Sequence, residues 1–312
     1  MVTPAVLVVG EALTDVVAAA DGTHRAHPGG SPANVALGLA RLGHPVELAT
    51  RIGRDAHGRT LRGHLEASGV RLTPGSETGS PTSTATARLD TSGGARYRFD
   101  IRWELPETVR PTGYGHLHTG SIATALPPGA DRVRKLIAEA PDHCTVSYDP
   151  NLRPALLGPA AHERAGVEEL VAAAHVVKAS EEDLAWLYPD EAPDTVAARW
   201  SGRGPALVVL TRGAEGARAY WASAGRLDVP PVPVTVADTI GAGDAFMAGL
   251  LSGLLAAGLL GDGAAPRLRE AARGTTAHPD LAHALRLAAR VSALTCARPG
   301  ADPPYAKEVS PS

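Results

Sequence analysis

The sequence predicts an α/β fold in which helices cover both faces of a doubly wound, mainly parallel sheet, with a small additional β lid. Strand-like apolar runs alternate with segments whose apolar residues recur at three- and four-residue spacing, and this alternation continues along most of the 312 residues. Such alternation is typical of parallel sheets built from crossover units. No repeat, low-complexity tail or long polar linker divides the chain. We therefore expect a single domain over residues 1–312.

The predicted strands are apolar runs bounded by turn residues: Ala5–Val9, Val46–Ile52, His116–Thr119, Cys144–Asp149, His175–Lys178 and Ala206–Thr211. The predicted crossover helices have a helical apolar period: Ala33–Leu42, Arg59–Ala67, Asp131–Ala140 and His162–Ala173. Three segments instead indicate antiparallel structure: 15–28, 82–103 around the turn Thr91–Gly94, and 216–229 around the turn 223–225. The first two are expected to form the lid, and the third an edge of the main sheet.

Composition excludes several classes of protein. The sequence has 30 lysines and arginines and 33 aspartates and glutamates, which gives a formal net charge of -3. A nucleic-acid surface along the chain would need a strong basic excess, so no nucleic-acid partner is expected. The two cysteines, Cys144 and Cys296, lie far apart and form no CxxC pair. We expect free thiols rather than a disulfide or a zinc site.

Neither a targeting segment nor a membrane span is expected. Residues 1–10 carry no basic leader before their short apolar run, so no signal peptide is predicted and the cytoplasm is the expected location. The uncharged stretch Ala245–Gly261 is short for a membrane span and contains four glycines. This composition favours a buried helix, and no membrane partner is expected.

The segment with the most chemistry is Asp238–Phe246, which reads DTIGAGDAF and precedes an apolar helix. Gly241 and Gly243 allow the backbone to approach a ligand closely. The N-terminus of the following helix offers unpaired N–H groups and a partial positive charge, which together suit a phosphate. The same field would stabilise Asp244, in the first turn, as a carboxylate. The motif therefore predicts a base beside an anion cradle.

Polar residues that follow other predicted strands support a site at the same place: Asp149, Arg153, Lys178, Ser180, Thr211 and Gly213. The carboxyl ends of parallel strands share one edge of the sheet, where doubly wound proteins bind ligands. A second segment, Gly29–Gly30 with Asn34, offers exposed backbone and a side-chain amide at a helix start, which suits a polyol. Ser31 is expected to be the N-cap of that helix and Gly43 to end it.

Other nucleotide, hydrolase and metal motifs are missing from the sequence. None of the three lysines stands in a GxxxxGK[ST] frame, and Phe246 replaces the third glycine of a GxGxxG pattern. Neither HExxH nor GxSxG occurs. The pairs His24/His27 and His116/His118 are expected to be surface or strand histidines rather than metal ligands.

Together these motifs resemble the PfkB, or ribokinase-like, sugar kinase family over nearly the whole chain. Gly29–Gly43 with Ile52–Gly58 resembles the N-terminal signature of the family, and Asp238–Phe246 resembles its DTxGAGDxF signature at every fixed position. Asp149–Pro154 resembles the DPNLRP element of fructokinase and 2-keto-3-deoxygluconate kinase members, and Thr211–Gly216 resembles the nucleotide-side loop. The resemblance implies a ribokinase-like fold with an ATP-dependent phosphotransferase activity.

The resemblance also implies roles for individual residues. Asp244 is the implied base, with Arg153 as a helper cation and with backbone N–H groups from Gly241, Ala242 and Gly243 on the phosphoryl group. The implied sugar ligands are Asp15, Gly29, Gly30, Asn34, Arg102 and Asp244; the implied ATP-side residues are Lys178, Ser180, Thr211, Gly213, Gly216, Gly241 and Gly243. ATP and Mg²⁺ are expected, with K⁺ as a further candidate. The lid is expected to exclude water and to pair two chains as a homodimer.

Some positions depart from the family pattern. Where an NxxE element often organises the magnesium ion, this chain has Ser180 and Asp183, so Asp183 is implied as an indirect metal contact. Arg54 and His57 stand where an acidic residue and an aromatic are common. Fructose, converted to fructose 6-phosphate, is the first choice of substrate, while 2-keto-3-deoxygluconate, ribose and a nucleoside remain open. A non-catalytic sugar-binding regulatory relative is the alternative of another class, and the intact Asp244 opposes it.

Overall fold

The computed structural model describes residues 5–18, 24–89, 95–140, 142–222 and 224–309. The strands in chain order are β1 (Val6–Val9), β2 (Leu13–Ala18), β3 (His24–Gly29), β4 (Val46–Ala49), β5 (Ile52–Gly53), β6 (Arg71–Leu72), β7 (Glu77–Thr78), β8 (Thr84–Leu89), β9 (Ala95–Asp100), β10 (His116–Gly120), β11 (Thr145–Asp149), β12 (Val176–Ser180), β13 (Leu207–Thr211), β14 (Ala217–Trp221) and β15 (Gly225–Val229).

The α-helices are α1 (Ser31–Arg41), α2 (Ala56–Glu66), α3 (Gly129–Ala138), α4 (Ala160–Ala173), α5 (Glu181–Leu187), α6 (Pro193–Ser201), α7 (Ala242–Ala256), α8 (Ala265–Ala271), α9 (Pro279–Cys296) and α10 (Ala306–Val309). Short 3₁₀ turns follow three of the strands: Ser121–Thr124, Pro154–Leu156 and Gly213–Glu215. Along the described residues, no helix combines the length and the apolar character that a membrane crossing requires.

The main sheet has nine strands in the order β15-β14-β13-β12-β11-β10-β1-β4-β6. The strands from β13 to β6 pair in parallel, while β14 and β15 form an antiparallel hairpin at one edge. The chain builds outward from β1 to β6 and later returns to place β10 on the other side of β1. The carboxyl ends of β1 and β10 therefore flank the topological switch point, where such sheets bind ligands. The predicted doubly wound, mainly parallel α/β fold is confirmed.

Helices cover both faces of this sheet because the side chains of each strand alternate between two cores. Val6 and Val8 of β1 pack with α1, α7 and α9 on one face, and Leu7 and Val9 pack with α3 to α6 on the other. All four side chains are fully buried. A strand that is apolar on both faces is the pattern of a central strand in a parallel sheet.

Helix α7 is apolar on almost every side and is buried along its length. Two glycines let it approach α9 closely, since a Cβ on Gly249 or Gly253 would lie 2.8 or 2.6 Å from the Cα atoms of Ala288 and Ala284. On its other side, a Cβ on Gly38 of α1 would lie 2.6 Å from Ala248. The stretch that was expected to be a buried helix rather than a membrane span is thus the central helix of one layer.

A second sheet of four strands, in the order β3-β2-β8-β9, occupies both segments that were expected to form a lid. Strands β2 and β3 pair antiparallel, as do β8 and β9, while β2 and β8 are parallel neighbours. The predicted turn Thr91–Gly94 and residue 223 of the other predicted turn lie outside the described residues. The division of the chain into one domain with a lid stays a prediction.

The prediction of one strand over Val46–Ile52 was wrong in its extent. Strand β4 ends at Ala49, and β5 begins at Ile52 and pairs with β7 in a separate small sheet. The break arises because the backbone N–H groups of Thr50 and Ile52 bond to the side chain and the carbonyl of Ser76 instead of continuing the ladder. Cys144 is a buried free thiol and Cys296 a partly buried one.

The close packing of α7 on α9 gives a first prediction. Gly253→Ala places a methyl group 2.6 Å from the Cα of Ala284 and should cost about 1–3 kcal/mol of stability through overpacking. Gly63→Ala is a matched control, because Gly63 lies on the exposed face of α2 with nothing within 4 Å of its Cβ position. Gly63→Ala should instead stabilise by about 0.5–1 kcal/mol. Melting temperatures that move in the same direction for both variants would contradict the packing account.

Candidate active site

The cradle predicted at Asp238–Phe246 lies at the N-terminus of α7. Gly241 is the N-cap of the helix and adopts a left-handed φ of 75°. A Cβ on Gly241 would also lie 2.6 Å from the Cβ of Ala301, so both conformation and space favour glycine there. The backbone N–H groups of Gly243 and Asp244 belong to the first turn, where helices leave such donors for an anion, whereas the N–H group of Ala242 donates to the carbonyl oxygen of Thr239 at 3.2 Å.

Asp244 lies in that first turn and is 7% exposed. Its carboxylate is held from two directions: the Ser31 hydroxyl donates to Oδ1 at 2.6 Å, and the Asn34 amide donates to Oδ2 at 2.8 Å. Asn151 lies close to the same carboxylate, with its Nδ2 atom 3.4 Å from Oδ1. Ser31 and Asn34, which precede Asp244 by 213 and 210 positions, thus fix the orientation of its carboxylate between the first turns of α1 and α7.

The expectation that Ser31 caps α1 was wrong. The N-cap is Gly30, with a φ of 103°, and Ser31 is the first helical residue. Its hydroxyl therefore points away from the turn and reaches Asp244. The packing requires a glycine at position 30, because a Cβ there would lie 2.5 Å from the carbonyl oxygen of Glu11. Gly43 follows the helix with a φ of 94°, as predicted for a helix end.

The expected sugar ligands divide into two groups. Asp15, Gly29, Gly30 and Asn34 lie together, since a Cβ on Gly29 would meet the Asp15 carboxylate and Asn34 bonds to Asp244. Burial raises the pKa of Asp15, while Arg153 and His27 act against this rise. The side chain of Arg102 is exposed, and its backbone pairs with the hydroxyl of Ser83. A contact between Arg102 and the sugar stays a prediction.

Sequence reasoning gave no role to Glu11, which follows β1 at the switch point. Its side chain is 5% exposed, and its Oε2 atom has no hydrogen-bond partner among the described residues. Burial raises the pKa of Glu11 to about 7, against the opposing effects of a hydrogen bond with Ser121 and the charge of Arg153; the nearby Asp244 adds to the rise. Glu11 is therefore a buried carboxyl group that changes charge near neutral pH.

Lys178 brings a buried positive charge to the cradle. Its Nζ atom lies 2.8 Å from Oδ2 of Asp149, and the two side chains are 3% and 1% exposed. Burial alone would lower the pKa of Lys178, but the carboxylate of Asp149 outweighs it and holds the pKa above its ordinary value. A Cβ on Gly243 would lie 3.1 Å from Nζ, so the ammonium group lies directly beside the first turn of α7.

The other expected ATP-side residues lie at the ends of β12 and β13. Ser180 caps α5 in a capping box with Asp183, and Thr211 ends β13. Gly213 begins the following 3₁₀ turn and Gly216 comes directly after it, with φ values of 51° and 87°. Their carboxyl-end position agrees with the sequence prediction, while contact with a nucleotide stays a prediction.

Asp183 and Arg153 are engaged within the protein. Asp183 accepts hydrogen bonds from the backbone N–H groups of Leu152 and Ser180 and from the Ser180 hydroxyl. Arg153 is exposed, and its guanidinium donates to the carbonyls of Asn151 and Leu152 and to the side-chain oxygen of Asn151. The roles of Asp183 near a metal ion and of Arg153 near phosphate stay predictions.

The structure can accommodate a magnesium ion on phosphate rather than in a protein cage. In the described part of the chain, no group of three or more His, Cys, Asp or Glu side chains could hold a metal ion. Apart from its ion pair with Lys178, the buried Asp149 carboxylate has no hydrogen-bond partner among the described residues. Mg²⁺ keeps several water ligands when it binds phosphates, and Asp149 has the acceptor capacity to hold such a water.

Comparisons with known proteins agree with this geometry. A family profile described as pfkB family carbohydrate kinase matches residues 3–308. A fructokinase of Rhizobium leguminosarum bv. trifolii is 34% identical over 260 residues, covering 80% of this chain and 79% of the relative. The crystal structure of a fructokinase with bound ATP from Xylella fastidiosa has a TM-score of 0.81 and 26% identity, covering 98% of this chain and 96% of its own.

A further similar solved structure has a sugar, a nucleotide and a metal ion bound. It is a double mutant of the fructokinase from Vibrio cholerae O395, with fructose, ADP and a potassium ion bound. Its TM-score is 0.73 with 26% identity, and the match covers 96% of this chain and 94% of the other.

The buried carboxyl group of Glu11 predicts a pH-dependent stability. Its pKa is about 7 in the folded protein against 4.5 for an ordinary glutamate, so the folded state holds a proton that the unfolded chain releases. Stability is therefore lost as the pH rises from about 4.5 to about 7, by roughly 3 kcal/mol in total. Glu11→Gln cannot ionise, so it should lose less stability than the wild type between about pH 5 and about pH 8.

Free energies of unfolding, measured by urea denaturation at about pH 5 and at about pH 8, test this prediction. Glu182→Gln is the control, because Glu182 is exposed. An equal pH dependence of the wild type and Glu11→Gln would show that Glu11 is not the buried proton-binding group.

Proposed function

Because the chain belongs to the pfkB family of carbohydrate kinases, we propose that it transfers the γ-phosphoryl group of ATP to the 6-hydroxyl group of fructose. One observation carries the proposal: the Asp244 carboxylate, bonded to Ser31 and Asn34, lies in the first turn of a helix that opens with a glycine cradle. A base and an anion site are thus adjacent, which is what phosphoryl transfer to an alcohol requires.

The reaction balances with these groups. The hydroxyl O–H bond breaks and its proton passes to the Asp244 carboxylate, while the hydroxyl oxygen forms a bond to the γ-phosphorus. The bond from that phosphorus to the bridging oxygen breaks, and ADP leaves with the electron pair. Backbone N–H groups of residues 241–244 and the ammonium group of Lys178 offset the negative charge on the phosphoryl oxygens. Mg²⁺, when bound to ATP, supplies further charge neutralisation.

Charges around the sugar side favour a neutral polyol. Asp15 and Glu11 each lie near Asp244; the negative charges of Asp15 and Asp244 oppose the binding of a sugar acid, and Glu11 adds to them when it is deprotonated. Arg153 is the cation that offsets them. This arrangement supports fructose over 2-keto-3-deoxygluconate, while ribose remains the second neutral candidate. A nucleoside would need aromatic or apolar side chains for its base, and the sequence has only two phenylalanines.

Four further features complete the proposal and stay predictions. The four-stranded sheet is a lid that closes over the sugar to exclude water, because water would otherwise accept the phosphoryl group. Pairing of two such sheets forms a homodimer, and the enzyme is cytoplasmic. K⁺ is proposed as an additional ion, because the double mutant of the Vibrio cholerae O395 fructokinase has a potassium ion bound. A non-catalytic sugar-binding role is disfavoured by the intact base and cradle.

The base role of Asp244 is tested by Asp244→Asn. The amide cannot take the proton, so kcat should fall by at least ~100-fold while the fold is kept. ADP release with saturating ATP, Mg²⁺ and fructose measures kcat, and the melting temperature reports the fold. Asp280→Asn is the matched control, since Asp280 also lies in the first turn of a helix, α9, but is exposed. Near-normal turnover in folded Asp244→Asn would remove Asp244 from the base role.

The substrate is tested by ADP release across fructose, 2-keto-3-deoxygluconate, ribose, glucose and adenosine. We expect the highest kcat/KM with fructose and the formation of fructose 6-phosphate. Asp244→Asn provides the background rate in each case. A higher kcat/KM with 2-keto-3-deoxygluconate would show that the acidic groups do not govern selection, and no turnover with any acceptor would contradict the proposed activity.

A further inference from the structure

A chain of hydrogen bonds connects the loop after β11 to the proposed base. Arg153 Nη1 donates to Oδ1 of Asn151 at 2.6 Å, Asn151 Nδ2 donates to the Ser31 hydroxyl oxygen at 2.7 Å, and the Ser31 hydroxyl donates to Oδ1 of Asp244 at 2.6 Å. The four residues, called here the relay, come from three elements: the loop, the first turn of α1 and the first turn of α7. Asn151 and Arg153 are close in sequence, but the bonds from Asn151 to Ser31 and from Ser31 to Asp244 join residues 120 and 213 positions apart.

The chemistry of the end groups fixes the direction of every bond in the relay. A guanidinium group only donates, so the oxygen of the Asn151 amide must face Arg153 and its NH₂ group must face Ser31. An ionised carboxylate only accepts, so the Ser31 hydroxyl must give its proton to Asp244 and accept from Asn151. The donors and acceptors of Asn151 and Ser31 can therefore be oriented in one way, and the Ser31 hydroxyl is held in a fixed position as a donor to the Asp244 carboxylate.

The backbone of Asn151 is held in an unfavourable conformation to make these bonds. Its φ is 37°, in the left-handed region that non-glycine residues rarely adopt, although asparagine tolerates it better than most. The Arg153 guanidinium also donates to the carbonyl oxygens of Asn151 and Leu152, which fastens the loop in this shape. Such strain persists where the surrounding structure enforces it, and it clusters at functional sites.

The two carboxylate oxygens of Asp244 accept hydrogen bonds from different sides, one from the relay and the other from Asn34. Oδ1 accepts from Ser31 at 2.6 Å and from Asn151 at 3.4 Å, while Oδ2 accepts from Asn34, which lies with the expected sugar ligands. The relay thus holds Oδ1, while Asn34 holds Oδ2, so the plane of the carboxylate is fixed from both sides. Orientation matters because a displacement of about 1 Å in a reacting group can reduce the rate by roughly 100-fold.

We propose that Ser31 and Asn151, anchored by Arg153, are positioning residues for Asp244. The proposal rests on the proposed function, since it needs Asp244 to be the base. It also gives Arg153 a structural task at the outer end of the relay, separate from any contact with phosphate. Neither Ser31 nor Asn151 touches the transferred group; both act through the carboxylate.

Two variants remove the relay without disturbing the backbone that carries it. Ser31→Ala deletes the hydroxyl from a helical position, and Asn151→Gly deletes the amide at a φ that glycine adopts freely. Each should lower kcat by at least ~10-fold, through misorientation of the base, and should leave the KM values for fructose and ATP within about twofold. The acid limb of the kcat–pH profile should move to higher pH, because a donor that favours the carboxylate form is lost.

The double variant separates a relay from two independent effects. Asn151 reaches Oδ1 of Asp244 through Ser31 by bonds of 2.7 and 2.6 Å and directly only at 3.4 Å, so Ser31→Ala/Asn151→Gly should be at most about twofold slower than the slower single variant. Ser201→Ala is the control: Ser201 is also buried, with its hydroxyl bonded to a carbonyl in α6, and this variant should keep the wild-type kcat and pH profile. Melting temperatures identify variants that do not fold, and if Ser31→Ala fails to fold, Asn151→Gly alone decides.

The outcomes distinguish this proposal from the proposed function. Wild-type turnover with unchanged kcat and an unchanged acid limb in folded Asn151→Gly would overturn the positioning role and leave the kinase activity standing. Additive losses in the double variant would overturn the serial arrangement. An inactive wild type on every acceptor would overturn the proposed function and, with it, the role of the relay.

Discussion

The packing of α7 is the constraint on which the site depends. This helix is apolar on almost every side, so burial between α1 and α9 is the arrangement that removes its surface from water. Glycines at its contacts with both neighbours bring the backbones close and fix its position along its axis. Its N-terminus, with the cradle and Asp244, must then lie at the carboxyl edge of the sheet. A site built this way is as rigid as the core beneath it.

Electrostatics explain why so many polar groups are buried at this edge. The carboxyl groups of Glu11 and Asp149 each lie near Asp244, and among the described residues the buried Lys178, the exposed Arg153 and the partial charge of a helix N-terminus offset them. ATP would bring more negative charge to the same place, so a divalent cation on its phosphates fits the electrostatics. The buried pair of Lys178 and Asp149 keeps a positive charge beside the cradle at a fixed position, which an exposed lysine could not do.

The sequence predicts the regular part of this arrangement because it is local. Strands, crossover helices, the cradle at Gly241 and the convergence at strand ends follow from apolar periods and from the shared edge of a parallel sheet. The relay could not be predicted, since Ser31 is 213 residues from Asp244 and its sequence context is that of an ordinary N-cap. Nor could the burial of Glu11 or the strained φ of Asn151, because both depend on how distant elements meet. The break between β4 and β5 likewise comes from a tertiary contact with Ser76.

The central claim is that the acceptor hydroxyl lies between the Asp244 carboxylate and the anion cradle of α7. The most direct measurement is a crystal structure with fructose and a non-hydrolysable ATP analogue bound together. The account predicts a fructose hydroxyl oxygen about 2.6–3.2 Å from an oxygen of Asp244, with the γ-phosphate on the N–H groups of residues 241–244. A sugar that turns its hydroxyl groups away from Asp244, or a γ-phosphate bound away from the first turn of α7, would contradict it.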